Sequence, residues 1–339
     1  MWARVPEIRG PGPIVWRSVP TSASVVVSMA RILVVDPLLL TEEFGIDPRW
    51  AGPEHEVVIP SGLELDDLKQ LLEEAAGILT AHHPVTAEMI ALAPNLRVIA
   101  KPGAGVDNID VAAAAGRGVV VTNVPGARGR AVAEHALFMM FYLARHAWMR
   151  SDPAWQKTTS VQLGGKTLGI VGLGAVGGHL AGFGRGLGMH VIVNTRSPDP
   201  SRVADEPVEF VARDALLRRA DFVVLCVPLT DDTRRMIDRS ALALMKDDSY
   251  LINVARGPVV ATGDLLEVMR SGRLSGAGLD VTDPEPLPAD HGLRQLPNVL
   301  ISPHNAGRTH ESQAEALERM RDNVRSVLAG GSALDPVEP

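Results

Sequence analysis

The sequence predicts an α/β fold built from parallel sheets in two units, and three observations carry that expectation. Apolar, strand-like runs alternate with helical stretches from Ile32 to Leu328, which is the pattern of a parallel sheet. The chain has 339 residues, a length that suits two domains. Finally, Leu168-Gly169-Ile170-Val171-Gly172-Leu173-Gly174-Ala175-Val176-Gly177 sets a G-x-G-x-x-G run directly behind an apolar segment. In such a strand-to-helix turn the first glycine makes the tight bend. The second lets the backbone approach a pyrophosphate, and the third lets helix and strand pack closely.

The elements follow in order. Residues 1–28 are rich in Pro, Gly and Ser without periodicity and are expected to be a disordered extension. Ser24 to Ser28 is too short for a secretory h-region. Met29 to Val35 reads as the first strand, followed by Val57-Val58-Ile59, a helix over Leu65 to Ala75, Gly77-Ile78-Leu79, a helix near Ala87 to Ala91, and Leu96 to Ala100. The loop Lys101 to Asp107 is rich in small residues that either present backbone N–H groups to an anion or simply turn the chain. Asn123-Val124-Pro125-Gly126 punctuates the sequence before a long helix over 127–149, and a domain crossing is expected there. A helix over Ala175 to Leu187 then leads to the strand-like Met189 to Val193, completing a βαβ unit. Phe222 to Val227, Tyr250 to Val254, Gly276 to Val281 and Val299 to Ser302 read as buried strands. Helical stretches near Ser240 to Met245 and Gly263 to Ser271 lie among them, and a last helix covers Glu311 to Leu328.

Composition excludes several classes of function. Hydrophobic residues make up 46% and charged residues 22% of the chain, ordinary for a soluble globular protein. A net charge of −7 without a basic block argues against a nucleic-acid partner. The most apolar helix, Ala131 to Ala144, is interrupted by Glu134 and His135 and is too short to span a membrane. The single cysteine, Cys226, allows no intrachain disulfide and suits a reducing cytoplasm. It lies in an apolar strand, where packing is its expected role. No metal is expected.

Where the second strand of the βαβ unit ends, an NAD site should carry an acidic residue for the ribose 2′-hydroxyl. Here the chain reads Asn194-Thr195-Arg196-Ser197. Two hydroxyls around an arginine receive a 2′-phosphate that a carboxylate would repel. NADP is therefore the expected cofactor, with NAD also possible; the alternative makes Arg196 a solvated loop residue.

Three residues stand just past the carboxyl ends of successive strands: Arg256, Glu285 and His304. Open parallel sheets bind ligands along that rim. Arginine offers a fixed fork to a carboxylate, histidine changes protonation near neutral pH, and a carboxylate beside it favours the charged form. Together they equip a site to reduce a 2-oxo acid. Taken singly, each has an ordinary alternative: a surface ion pair for Arg256, a loop residue for Glu285, a helix cap for His304. His82 and His83 either face substrate or are loop histidines.

Gly103-Ala104-Gly105-Val106-Asp107-Asn108-Ile109-Asp110, Ala133-Glu134-His135, the glycine turn, Asn253-Val254-Ala255-Arg256-Gly257, Gly278-Leu279-Asp280-Val281 leading to Glu285-Pro286, and Ser302-Pro303-His304 resemble the D-isomer-specific 2-hydroxyacid dehydrogenase family. The resemblance runs from about Ile32 to the last helix. It implies two Rossmann-like parallel-sheet domains, the cofactor domain (125–304) being inserted into a discontinuous substrate domain (29–124 and 305–339), and a homodimer built on helices of the cofactor domain. It places Arg256 on the substrate carboxylate and carbonyl, His304 as the proton donor to the carbonyl oxygen, and Glu285 as its orienting partner. Ala104 and Gly105 would offer N–H groups to the carboxylate. Gly172, Gly174 and Gly177 would shape the cofactor turn, Ala175 and Val176 would reach the pyrophosphate, Asp280 would hold the nicotinamide carboxamide, and Val227, Val254 and Gly307 would line the cofactor. Thr195 replaces the family's ribose-binding Asp, as in NADP-using glyoxylate and hydroxypyruvate reductases. Glyoxylate or hydroxypyruvate is the expected substrate. Phosphoglycerate dehydrogenase is the alternative enzyme, and a dinucleotide-sensing corepressor or scaffold is the alternative outside catalysis. Formate dehydrogenases carry Gln where this chain has Glu285. The excess glycines of helix 175–187 have no functional explanation in the sequence.

Overall fold

The computed structural model describes residues 29–40, 45–146, 159–199 and 208–338; the expectation for 1–28 lies outside them. The first sheet contains β1 (Ala30–Val34), β2 (His55–Val58), β3 (Ala75–Leu79), β4 (Val98–Ala100) and β5 (Val120–Thr122). Its order is β2-β1-β3-β4-β5, and every pairing is parallel. Alternation along β1 assigns its two faces. Leu33 and Val35 pack with Leu68 and Leu72 of α1 (Leu65–Glu74), Met89 and Ile90 of α2 (Ala87–Ala91) and Ala114 of α3 (Val111–Gly116). Ile32 and Val34 pack with Ala316, Met320 and Val324 of α9 (His310–Leu328). Helix α9 thus lies against the sheet formed by the start of the chain. A reciprocal capping box between Thr309 and Ser312 starts it. Arg97 ends it by donating to the carbonyls of Val327 (2.6 Å) and Leu328 (2.8 Å).

The second sheet contains β6 (Thr167–Val171), β7 (His190–Asn194), β8 (Glu209–Phe210), β9 (Phe222–Leu225), β10 (Tyr250–Asn253), β11 (Gly276–Leu279) and β12 (Val299–Ile301). Its order is β12-β11-β10-β9-β6-β7-β8, again wholly parallel. One face packs on α4 (Gly129–Ala144) and α5 (Ala175–Gly186) through Ala136, Met139, Met140, Leu143 and Leu180. The other is covered by α6 (Arg213–Arg219), α7 (Arg239–Leu244) and α8 (Thr262–Arg270) through Leu216, Leu242, Leu265 and Met269. Strand order reverses between β6 and β9, which opens the crevice at their carboxyl ends.

Boundaries moved where local geometry overrode the pattern. The helix expected over 127–149 ends at Ala144: Arg145 caps it, and His146 turns to φ +49°. The rest of that span, 147–149, lies outside the described residues. Ala75, read as helix, opens β3 directly. Elements α3, α6 and β8, of six, seven and two residues, are too short for the periodicity to single them out. Two of the surplus glycines in α5 have a packing reason. A Cβ on Gly177 would sit 2.2 Å from the Gly172 carbonyl oxygen, and one on Gly184 would sit 2.7 Å from Leu168 Cδ2. Gly182 and Gly186 face open space, and nothing in the structure explains them.

Because Met320 is fully buried between α9 and β1, Met320→Ala should cost about 2–5 kcal/mol, the range for a large-to-small core change. Urea unfolding checks this; a loss below about 1 kcal/mol would show that α9 does not hold the first sheet.

Candidate active site

The site grows from the end of β12. Asp280, just after β11, is 2% exposed. Its Oδ1 accepts from Ser302 Oγ (2.6 Å) and the Asn305 N–H (3.0 Å), and its Oδ2 accepts from the Ala306 N–H (3.0 Å). Its main-chain oxygen accepts the His304 N–H at 2.8 Å. Ser302 has one hydroxyl proton and gives it to Asp280, so His135 Nε2, 2.9 Å from Ser302 Oγ, must carry a hydrogen to complete the contact. Burial lowers the His135 pKa despite Asp280. Asp280, expected only at the nicotinamide carboxamide, therefore also fastens the loop that presents His304. That loop is strained: His304 sits at φ +53°, a conformation costing about 1–3 kcal/mol that persists only where neighbours enforce it.

His304 Nδ1 lies 2.6 Å from Glu285 Oε1. A carboxylate only accepts, so Nδ1 carries the hydrogen, and Nε2 is left as the outward nitrogen. Burial pushes the Glu285 carboxyl up, but the hydrogen bond and charge of His304 outweigh it, and the pKa is lowered. The Glu285 loop is itself fixed by Thr262 Oγ1 donating to the Asp283 carbonyl (2.7 Å) and Thr282 Oγ1 to that of Pro284 (2.8 Å).

Arg256 follows β10 in a turn set by the buried Asn253, whose side chain accepts from the Ala255 N–H (3.1 Å) and donates to the Arg256 carbonyl (3.0 Å). Its guanidinium reaches across to the first sheet, with Nε 3.2 Å from Asp107 Oδ1. A Cβ on Gly105 would stand 1.9 Å from Arg256 Nη2, so a side chain there would push the guanidinium away from that loop. The N–H groups of Ala104 and Gly105 have no acceptor among the described residues. The structure thus brings Arg256, Ala104 and Gly105 together, and His304 with Glu285.

The rim of the first sheet adds residues that the sequence left open or missed. Asp36, after β1, is 4% exposed. Its Oδ2 accepts three successive loop N–H groups, those of Ala81 (2.9 Å), His82 (2.5 Å) and His83 (2.9 Å), and its Oδ1 that of Leu38 (3.0 Å). This holds the His82 ring with its centroid 5.5 Å from that of His304, edge to face. Desolvation, with the charges of His304 and Lys101, lowers His82 to about 4; although the residue is open to the cleft, the direction leaves a neutral imidazole at neutral pH. The signal for both was position: each directly follows a parallel strand.

The glycine turn is shaped for a dinucleotide. Gly172 has φ +103°, and a Cβ there would lie 2.6 Å from the Cys226 carbonyl oxygen and 3.0 Å from Val227 Cγ1. A Cβ on Gly174 would meet nothing within 4 Å, which leaves the approach open. Ala175 and Val176 begin α5, with its free N–H groups. Thr195, Arg196 and Ser197 directly follow β7, the strand beside β6, and Arg196 makes no ion pair among the described residues. Val254 lies between β10 and Arg256, partly buried. Gly307 accepts from Ser312 Oγ (2.6 Å) and lies against Arg128. Burial pushes the Cys226 thiol up to about 12, so it packs and does not react.

Burial pushes the Asp36 carboxyl up, but its four backbone hydrogen bonds outweigh this and lower its pKa. A folded-state pKa below the unfolded value gives stability that is present above the unfolded value and lost as pH falls through the folded one. Asp36→Asn should therefore lower stability at pH 7 by about 1–3 kcal/mol and flatten the acid limb of stability against pH. Thermal melts between pH 3 and 7 test this; a parallel shift at every pH would refute the ionic role.

Residues 131–306 match the NAD-binding domain of the D-isomer specific 2-hydroxyacid dehydrogenases. A glyoxylate reductase of Aeropyrum pernix is 32% identical over 307 residues, 86% of this chain and 89% of that protein. A D-3-phosphoglycerate dehydrogenase of Mycobacterium leprae is 35% identical over 304 residues, 86% of this chain but 55% of its own length. The crystal structure of a glyoxylate reductase from Paecilomyes thermophila superposes with a TM-score of 0.80 at 28% identity, covering 91% of this chain and 98% of that one. With two parallel sheets, a glycine turn for a nicotinamide dinucleotide and these relatives, the chain belongs to the D-isomer-specific 2-hydroxyacid dehydrogenases, as an NAD(P)-dependent oxidoreductase.

Proposed function

We propose that the chain reduces a small 2-oxo acid to the D-2-hydroxy acid, with NADPH preferred and glyoxylate or hydroxypyruvate as substrate. The observation that carries this is the meeting of Arg256 with the Gly105 loop, and of His304 with Glu285, on the rim that holds the glycine turn. Arg256 and the N–H groups of Ala104 and Gly105 bind the carboxylate. His304 Nε2 gives its proton to the carbonyl oxygen while Glu285 accepts from Nδ1 and steadies the ring. A dinucleotide bound there would supply the hydride. Asp280 meets the carboxamide, Val227, Val254 and Gly307 line the cofactor, and Arg196 with Thr195 and Ser197 receives the 2′-phosphate. Phosphoglycerate dehydrogenase is the second reading, favoured by relatives of that name at 35% identity. The substrate domain is assigned to 29–124 and 305–339 and the cofactor domain to 125–304. A homodimer is supported by Phe138 and Phe141, 51% and 38% exposed on α4, side chains that a partner helix would cover. Among the described residues no helix is long and apolar enough to cross a membrane; with one cysteine, this supports a cytoplasmic location.

Catalytic efficiency should be higher with NADPH than with NADH, and Arg196→Ala should remove most of the difference. Equal use of both cofactors by the unaltered chain would refute the assignment.

Kinetics should separate the roles, since a group acting only in the transition state lowers kcat while one that binds substrate throughout raises KM. His304→Ala should lose about 10²–10⁴ in kcat, and Arg256→Ala should raise KM for the oxo acid as well. Glu285→Gln keeps an acceptor but removes the charge that favours a protonated partner, so the alkaline limb of kcat/KM for reduction should move to lower pH. An unmoved limb would dissolve the pair; dinucleotide binding without turnover on any 2-oxo acid would favour a sensor over an enzyme.

A further inference from the structure

Lys101 stands at the end of β4, the strand next to β3 in the first sheet, and is 7% exposed. Its ammonium makes a hydrogen bond to Asn108 Oδ1. The Asn108 amide is fixed the other way round by donating to the His83 carbonyl at 2.8 Å, so its oxygen must face the lysine. An ammonium has three donors. Among the described residues the other two have no partner and no carboxylate forms an ion pair with the group. Burying a cation without an anion is costly, and folded chains avoid it unless something else supplies the partner. Burial pushes the Lys101 pKa down; the nearby charges of Asp107, which is paired with Arg256, and of Asp36 raise it while those of Arg256 and Arg128 lower it, and the balance brings it down to about 8, which still leaves it largely protonated at pH 7.

The surroundings say what would supply that partner. Lys101 begins the loop that carries Ala104 and Gly105, and its charge acts on Asp107 and on His82. A 2-oxo acid with its carboxylate on Arg256 and its carbonyl oxygen toward His304 turns one face to the cofactor sheet. Its C3 substituent is then left to the rim of the first sheet, where His82 follows β3 and Lys101 follows β4. We propose that Lys101 is a specificity-determining residue that donates to an oxygen on C3 of the substrate, so that acids bearing a hydroxyl, carboxylate or phosphate ester there are preferred over those ending in methyl. This rests on the reductase reading and narrows it: hydroxypyruvate is favoured over pyruvate, and over glyoxylate, which has no C3. His82, neutral beside His304, forms a polar wall to the same pocket without adding charge.

The test is calorimetric binding of D-glycerate, D-malate, 3-phospho-D-glycerate and D-lactate to the full chain saturated with NADPH, where no turnover can occur. D-lactate has the methyl; the other three carry the three kinds of oxygen. At least one of the three should bind about 10- to 100-fold tighter than D-lactate, the effect of one hydrogen bond to a charged group, and their order identifies the natural C3 group. Lys101→Met should bring that ligand to within about threefold of D-lactate while leaving D-lactate itself unchanged. Its melting temperature should hold or rise, because an unpaired buried charge has gone. Lys101→Gln, which keeps a donor without charge, should retain part of a preference for hydroxyl and lose one for an anion. Uniform loss across all ligands with a lowered melting temperature would make Lys101 a support for the Asn108 loop, and no preference in the unaltered chain would also overturn the proposal. A Lys101-dependent preference in a chain that turns over none of the corresponding oxo acids would refute the reductase reading and leave the subsite standing.

Discussion

Two buried carboxylates, Asp36 and Asp280, set the geometry on which the rest of the site depends. Each follows a parallel strand, and each accepts hydrogen bonds from the N–H groups of a different loop: Asp36 from 81–83, Asp280 from 305–306. Where a strand stops, the next loop loses its ladder partners, and buried amides must find others. A carboxylate accepts several at once and binds them more strongly than a neutral group does. The two loops so fixed carry His82 and His304, whose rings meet across the cleft. Had either carboxylate been neutral or absent, a loop of this length would be free to choose among conformations, and the left-handed backbone of His304 would be among the first to relax.

The second constraint is close approach of backbone. Gly105 leaves room for the Arg256 guanidinium, Gly172 passes beside the Cys226 carbonyl, Gly177 seats α5 on the turn, and Gly257 brings the Arg256 turn onto Thr282, where a Cβ would stand 1.9 Å from a carbonyl oxygen. None of these glycines has a side chain to offer, and only their backbone can meet a ligand. Each sets the separation between two elements, so the distances within the site are decided by missing side chains as much as by present ones.

Most of the fold was legible because parallel strands buried on both faces are continuous apolar runs, and helices between them alternate with those runs in an order that fixes a parallel sheet. Arg256, Glu285 and His304 were legible for the same reason: each follows such a run. What the sequence did not disclose was the work of polar side chains that bond across distant positions. Nothing local in Val35-Asp36-Pro37 says that the carboxylate meets a loop some 45 residues on, and nothing in Ala100-Lys101-Pro102 says that the lysine is buried without a carboxylate. Short elements such as β8 and α6 were missed because two residues hold a single strand period and seven fall short of two helical turns, and the end of α4 was misplaced because nothing in the composition after Ala144 breaks a helix.

The pattern of these misses is informative about the site itself. Residues that the hydrophobic pattern explains stabilise the fold; those it does not explain lie at the cleft and oppose it. Lys101 is charged in a place that favours neutrality, His304 takes a backbone conformation suited to glycine, and His82 loses its proton readily because it is desolvated and lies beside the charges of His304 and Lys101. A fold selected for stability alone would replace the first with an apolar residue and the second with glycine or asparagine. With all three on the rim beside Arg256, whose own carboxylate partner is Asp107, an anionic ligand would give Lys101 the ion pair it lacks and would meet the strained histidine. Binding energy from the substrate would then be spent where the protein is least comfortable without it, which is how a preorganised site converts local instability into selectivity.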